Sequence, residues 1–127
     1  RQMCIRDRNM QALTARLQRK GARFVHISTA FVHGGHCGSL DSPLNEDLFP
    51  LSPFNANEIY KSMLGTQYYA SKAMAELQFP NSYTLSKCVC EHLLLQQKSV
   101  DTMIIRPSSV CPAVEEPFEG WAGDKPT

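Results

Sequence analysis

Tyr83-Thr84-Leu85-Ser86-Lys87 places a phenol four residues before an ammonium. On a helix, residues four apart share a face, so both side chains point toward one cleft. A neighbouring cation favours the phenolate and eases movement of the phenolic proton, which makes the pair a candidate acid/base unit. The same spacing recurs in Tyr68-Tyr69-Ala70-Ser71-Lys72, so spacing alone does not identify a site. Context separates the two. Tyr83 comes just after a helix cap at Asn81-Ser82 and opens an apolar helix, which leads to a strand ending in Arg106-Pro107-Ser108. Tyr68 has no such sequel, and Tyr83 with Lys87 is taken as the catalytic pair.

A third candidate is Thr29, where a strand-like run stops at Ser28-Thr29-Ala30. In open parallel sheets ligands bind beyond the carboxyl ends of the strands, where a hydroxyl would hydrogen-bond a carbonyl oxygen that Tyr83 protonates. The competing reading is that Ser28 and Thr29 only satisfy backbone groups at the strand end. Gly34-Gly35-His36-Cys37-Gly38 also lies just beyond that strand, but a pyrophosphate cradle must open into a helix. The residues after Gly38 are instead rich in Ser, Asp, Pro and Asn, so the glycines are read as a flexible loop. His26, within a strand, and His92, on a capped helix, are read as hydrogen-bonded core or surface residues, while His33 and His36 have no third ligand near them in sequence. Five cysteines, an odd number without a C-x-x-C pair, are read as reduced thiols of a cytosolic-type environment, and no metal is assigned.

These groups need elements to position them. Met10, Leu13, Ala15 and Leu17 recur near helical spacing and predict a helix over 9–20 with Asn9 as its N-cap and Gly21 as its end. Residues 23–27 and 102–105 are compact β-branched and aromatic runs, expected to be buried strands. Between them lie a long irregular segment over 30–57, expected to have little order, a helical stretch over 58–77, a break at Pro80, and the helix that starts at Asn81-Ser82. Helix, strand, loop, helices and strand in that order suit part of an α/β parallel sheet wrapped by helices.

The 127 residues fit one small domain, with 43% hydrophobic and 20% charged residues and a formal net charge of +1. That balance offers no electrostatic basis for binding nucleic acid, and no apolar run approaches a membrane span, so no membrane contact is expected from these residues. Residues 1–8 show neither period nor turn signal, are uncertain in frame and carry no functional weight. The opening without methionine and the close on Gly123-Asp124-Lys125-Pro126-Thr127 read as truncations.

Taken together, Tyr83-x-x-x-Lys87, the strand-end Thr29 and Ile105-Arg106-Pro107-Ser108 resemble the extended short-chain dehydrogenase/reductases. Three segments narrow the resemblance to the fatty acyl-CoA reductases, also called male-sterility-type reductases: residues 25–32 (VHISTAFV), residues 81–87 (NSYTLSK) and Glu116-Pro117-Phe118-Glu119-Gly120-Trp121. The resemblance implies that residues 9–127 are the C-terminal part of a Rossmann-like, doubly wound NAD(P)-binding domain without its N-terminal βαβ half. It implies hydride transfer from NADPH to the thioester carbon of a long-chain acyl-CoA, giving a fatty aldehyde and then a fatty alcohol. By position, Tyr83 is the proton donor, Lys87 holds the nicotinamide ribose, and Thr29 stabilises the carbonyl oxygen. Asn9 supports the cofactor or a structural water, and Pro107, Ser108 and Val110 pass along the nicotinamide.

The resemblance further implies a cytosolic-facing enzyme associated, at full length, with peroxisomal or endoplasmic reticulum membranes. Oligomeric state is left open, and the piece alone is expected not to hold NADPH tightly. Neighbouring readings are a thioester-reductase domain acting on carrier-bound acyl groups, a sugar-nucleotide epimerase or dehydratase, against which the Glu116–Trp121 segment argues, and a non-catalytic remnant of the same fold.

Overall fold

A computed structural model describes residues 2–17, 22–36, 38–98 and 100–121, with the side chains of residues 2–4 excepted. The expected cap at Gly21, the thiol of Cys37 and the tail from Gly123 lie outside the described residues. The elements are α1 (Gln2–Arg16), β1 (Arg23–Ile27), a 3-10 turn (Ala30–His33), α2 (Ala56–Leu64), α3 (Tyr68–Glu76), α4 (Ser82–Leu95) and β2 (Asp101–Ile105). This is a partial Rossmann-like α/β arrangement: β1 and β2 pair in parallel, in the register His26↔Ile104, with three α-helices in the connection between them.

The helix α4 organises the packing. Asn81 caps it by accepting from the Thr84 amide at 2.9 Å, as its sequence foretold. Leu85, Cys88, Val89 and Leu93 then bury against Val32, Phe49, Ile59, Ala73 and Phe79 in the main core. Burying side chains of this size contributes roughly 1.5–3 kcal/mol each. On its other flank Cys90 and Leu94 meet Phe24 of β1.

Four sequence expectations are corrected. The first helix begins well before residue 9, so Asn9 sits exposed in the interior of α1 and is no N-cap. The helix docks through polar groups: buried Gln11 donates to the Leu94 carbonyl at 2.8 Å and the Thr102 hydroxyl at 2.9 Å, while Met10, Leu13 and Leu17 face outward. The stretch over 58–77 is two helices, because Gly65 closes α2 and Gln67 adopts a left-handed φ of 61°. The strands are covered on one face only: Val25, Ile27, Met103 and Ile105 are each 40–53% exposed on the other. Finally, the segment before α2 is not a free loop. Phe49, Leu51 and Phe54 are buried in the core, and Gly34 (φ +61°) lies so near the Leu77 carbonyl that a Cβ would stand 2.6 Å from its oxygen.

Candidate active site

At the carboxyl ends of the two strands the ladder runs on beyond the elements themselves. The Ser28 amide donates to the Ile105 carbonyl at 2.8 Å and the Ala30 amide to the Pro107 carbonyl at 2.9 Å. Thr29 is thereby held between two backbone bonds, beside the segment that carries Arg106 and Pro107. Its hydroxyl accepts from the Phe31 amide at 3.3 Å and caps the 3-10 turn. That is the local backbone role considered as the competing reading. One lone pair and the hydroxyl proton remain for a ligand. Ser28 behaves differently, since its buried hydroxyl has no hydrogen-bond partner among the described residues.

Lys87 reaches this strand end from α4. Its ammonium donates to the Ile27 carbonyl at 2.7 Å and is buried, with 9% of the residue exposed. One of its three N–H groups is spent on that bond, leaving two for other acceptors. Tyr83 lies one turn earlier on the same helix and is 49% exposed. It borders an open cleft of about 430 Å³ together with Met63, Ala70, Met74 and Leu85. The second Tyr/Lys match behaves as a surface pair: Tyr68 is 76% exposed, and Lys72 points to Glu76 at 3.8 Å. Burial of the ammonium at a strand end thus distinguishes the two spacings.

Pro107 abuts Ala30 through its carbonyl, and Ser108 and Val110 succeed it on the exposed chain. Asn9, on α1, is exposed.

A buried ion pair was not foreseen. Glu91, fully buried on α4, receives two hydrogen bonds from Arg106, Nε to Oε1 at 3.0 Å and Nη2 to Oε2 at 2.7 Å. The same guanidinium donates to the carbonyls of Glu46 and Asp47 at 3.0 and 3.2 Å, fastening the segment before α2 to the end of β2. Glu91 falls four residues after Lys87 and three before Leu94, on the core face of α4. A carboxylate at such a position requires a cation, and that was the available signal.

The histidines divide in the same way. His92 Nε2 lies 2.8 Å from the Phe49 carbonyl, the hydrogen-bonded role expected of it. Burial pushes His33 below its ordinary value, with Arg106 acting in the same direction. His26 is 2% exposed; burial lowers its affinity for a proton, and Asp7 partly opposes this. Its Nδ1 faces the Asp7 carboxylate at 3.5 Å, while Nε2 has no hydrogen-bond partner among the described residues. Contrary to the sequence expectation, it is not a fully hydrogen-bonded core histidine. Asp7 also lies 3.5 Å from the Cys90 sulfur.

The profile of an NAD-binding family described as Male sterility protein matches residues 7–126. Among curated proteins, the chain is 33% identical over 106 residues to Fatty acyl-CoA reductase 2 of Mus musculus, an alignment covering 77% of this chain and 19% of that protein. It is 29% identical over 108 residues to Fatty acyl-CoA reductase 1 of Gallus gallus, covering 77% of this chain and 19% of the relative. It is 26% identical over 129 residues to the Alcohol-forming fatty acyl-CoA reductase of Simmondsia chinensis, covering 77% and 24%. The chain therefore spans about a fifth to a quarter of the length of these relatives. No solved structure matches it significantly. Among the described residues no helix is long and apolar enough to cross a membrane.

Proposed function

From the premise that this chain belongs to the Male sterility protein family of NAD-binding domains, we propose that it is the catalytic part of a longer reductase acting on long-chain fatty acyl-CoA. In this reading the longer enzyme would convert the thioester to a fatty aldehyde with release of CoA thiol, and the aldehyde to a fatty alcohol, each reduction using one hydride from its own NADPH and one proton. The observation that carries it is the placement of Lys87: a buried ammonium bonded to the Ile27 carbonyl at the carboxyl end of β1, one helical turn from a half-exposed phenol.

Tyr83 is the proton donor to the oxygen of the reacting carbonyl. Lys87, with two N–H groups left beyond its bond to Ile27, would hold the ribose hydroxyls of the cofactor. Thr29 supplies a hydroxyl at the strand end, where negative charge develops on the carbonyl oxygen. Pro107, Ser108 and Val110 continue from β2 along the nicotinamide side, and Asn9 supports the cofactor from α1.

The residues present fit a nicotinamide dinucleotide. The orphaned, buried hydroxyl of Ser28 and the two remaining N–H groups of Lys87 lie where a parallel sheet receives such a ligand. When bound, the cofactor supplies the hydride, while the chain's own groups orient the carbonyl and move the proton. The apolar cleft beside Tyr83, walled by Met63, Met74 and Leu85, suits the first methylenes of an acyl chain.

The test is acyl-CoA-dependent oxidation of NADPH by the longer polypeptide, with Tyr83→Phe against Tyr68→Phe. Loss of at least about 100-fold in kcat for the first and none for the second is expected. Equal activity of Tyr83→Phe and the unsubstituted enzyme would overturn the assignment.

A further inference from the structure

We propose that Glu91 and Arg106 are positioning residues: they tie β2 to α4 at the rung where Lys87 ties β1, and so fix Thr29 and Pro107 relative to Tyr83. The inference rests on the reductase reading above. Ile27 and Ile105 are register partners in the parallel pair. Lys87 donates to the Ile27 carbonyl at 2.7 Å, and one turn further along α4 Glu91 receives Arg106, the residue after Ile105. One helix thus grips both strands where their regular pairing ends. A single contact would leave the helix free to pivot about it, whereas contacts to two strands do not.

The groups assigned to the reaction lie just beyond that rung. The amides of Ser28 and Ala30 bond the carbonyls of Ile105 and Pro107, one on each side of Thr29. These bonds set Thr29 against the end of β2, and Arg106 sets the end of β2 against the helix that carries Tyr83. An error in the second joint is therefore passed to the distance between the Thr29 hydroxyl and the Tyr83 phenol.

The type of contact suits orientation more than stability. Exchanging a buried ion pair for apolar residues of similar volume is often neutral or stabilising, so burial energy alone does not explain a carboxylate at 0% exposure with a guanidinium at 16%. A planar guanidinium bonded to both carboxylate oxygens has a fixed direction, which an apolar pair lacks. The same two strands carry another tie for comparison. Arg23 Nε donates to Asp101 Oδ2 at 2.7 Å at their amino ends, away from the site, with side chains 49% and 61% exposed.

The experiment uses the longer polypeptide and three variants: Arg106→Lys, the double substitution Glu91→Leu with Arg106→Met, and Arg23→Met. Acyl-CoA-dependent oxidation of NADPH is measured at a temperature where circular dichroism shows each to be folded, beside urea midpoints and amide hydrogen exchange at Ala30. Arg106→Lys keeps the charge and loses the fork, and its kcat should fall at least about 10-fold with little change in KM. The apolar double variant should lose kcat as much while its urea midpoint stays near that of the unsubstituted protein. Arg23→Met should keep kcat, and Ala30 should exchange faster in the first two variants than in the third. Full kcat in the double variant, or kcat losses that merely follow the urea midpoints, overturns the proposal. A polypeptide inactive toward acyl-CoA sinks the reductase reading alone. Exchange at Ala30 then decides the positioning role, and equal rates in Arg106→Lys and Arg23→Met overturn it.

Discussion

The Lys87 ammonium bonds the Ile27 carbonyl at 2.7 Å across 60 residues of sequence, so the helix that carries Tyr83 is tied directly to the strand that ends at Thr29. The bond has a structural consequence separable from catalysis. Lys87→Met leaves that carbonyl without its charged donor and should lower unfolding stability by about 1–3 kcal/mol. Lys72→Met removes only an exposed i,i+4 pair and should stay within about 0.5 kcal/mol. Urea midpoints of the two variants decide it, and equal losses would remove the distinction between the two Tyr/Lys spacings.

The Arg106–Glu91 pair should respond asymmetrically to substitution. Arg106→Met strands a fully buried carboxylate and frees the Glu46 and Asp47 carbonyls, at a cost of about 3–5 kcal/mol. Glu91→Gln keeps an acceptor for the guanidinium and leaves its two backbone contacts in place, so the loss should be smaller. Denaturation of both single variants and the double variant measures this. A smaller loss for Arg106→Met than for Glu91→Gln would mean that the pair does not anchor the segment before α2.

Much of α4 was legible because its signals are local: Asn81 caps it, Pro80 precedes it, and its apolar residues keep helical spacing. Both strands were legible in composition. Their exposure was not, since the same β-branched run serves a strand covered on one face or on two. Position 9 was misread because Met10, Leu13 and Leu17 look like a core-facing stripe, whereas α1 docks by Gln11 and by the cation of Arg8, 5.5 Å above the ring of Tyr60. The candidate pair Tyr83 and Lys87 was read from a helix period and its sequel, and the structure adds the burial of the Lys87 ammonium at the strand end. Glu91 with Arg106, and Asp7 with Cys90, depend on contacts 15 and 83 residues apart, which no local pattern encodes.

Stability should fall on mild acidification, in part through His33. Burial pushes its imidazole below the ordinary 6.5, Arg106 adds to that, Glu91 opposes it, and His36 lowers it further. The folded state therefore prefers the neutral ring. Its contribution is present above the unfolded value of about 6.5 and is lost as pH falls through the depressed folded value. Urea midpoints from pH 8 to about pH 5 should decline below about 6.5. His33→Gln should flatten part of that decline, and an unchanged profile would count against a depressed value.

The thiols should separate sharply in reactivity. Cys88 is fully buried among Val32, Phe49 and Leu85, and burial pushes its thiol up to about 12, with Glu91 acting in the same direction and Arg106 opposing. Because the thiolate is the nucleophile, roughly one molecule in ten thousand carries it at pH 8, before the cost of access is counted. Cys111 is exposed. Brief alkylation under native conditions followed by peptide mass spectrometry should modify Cys111 and spare Cys88, with Cys88 reacting only in denaturant. The same burial predicts that Cys88→Ser, which places a hydroxyl in an apolar core, costs about 1–3 kcal/mol if the hydroxyl finds no partner. Alkylation of Cys88 at a rate near that of Cys111 would show that α4 opens readily. It would also show that the bond from Lys87 to Ile27 does not hold the helix against the strand.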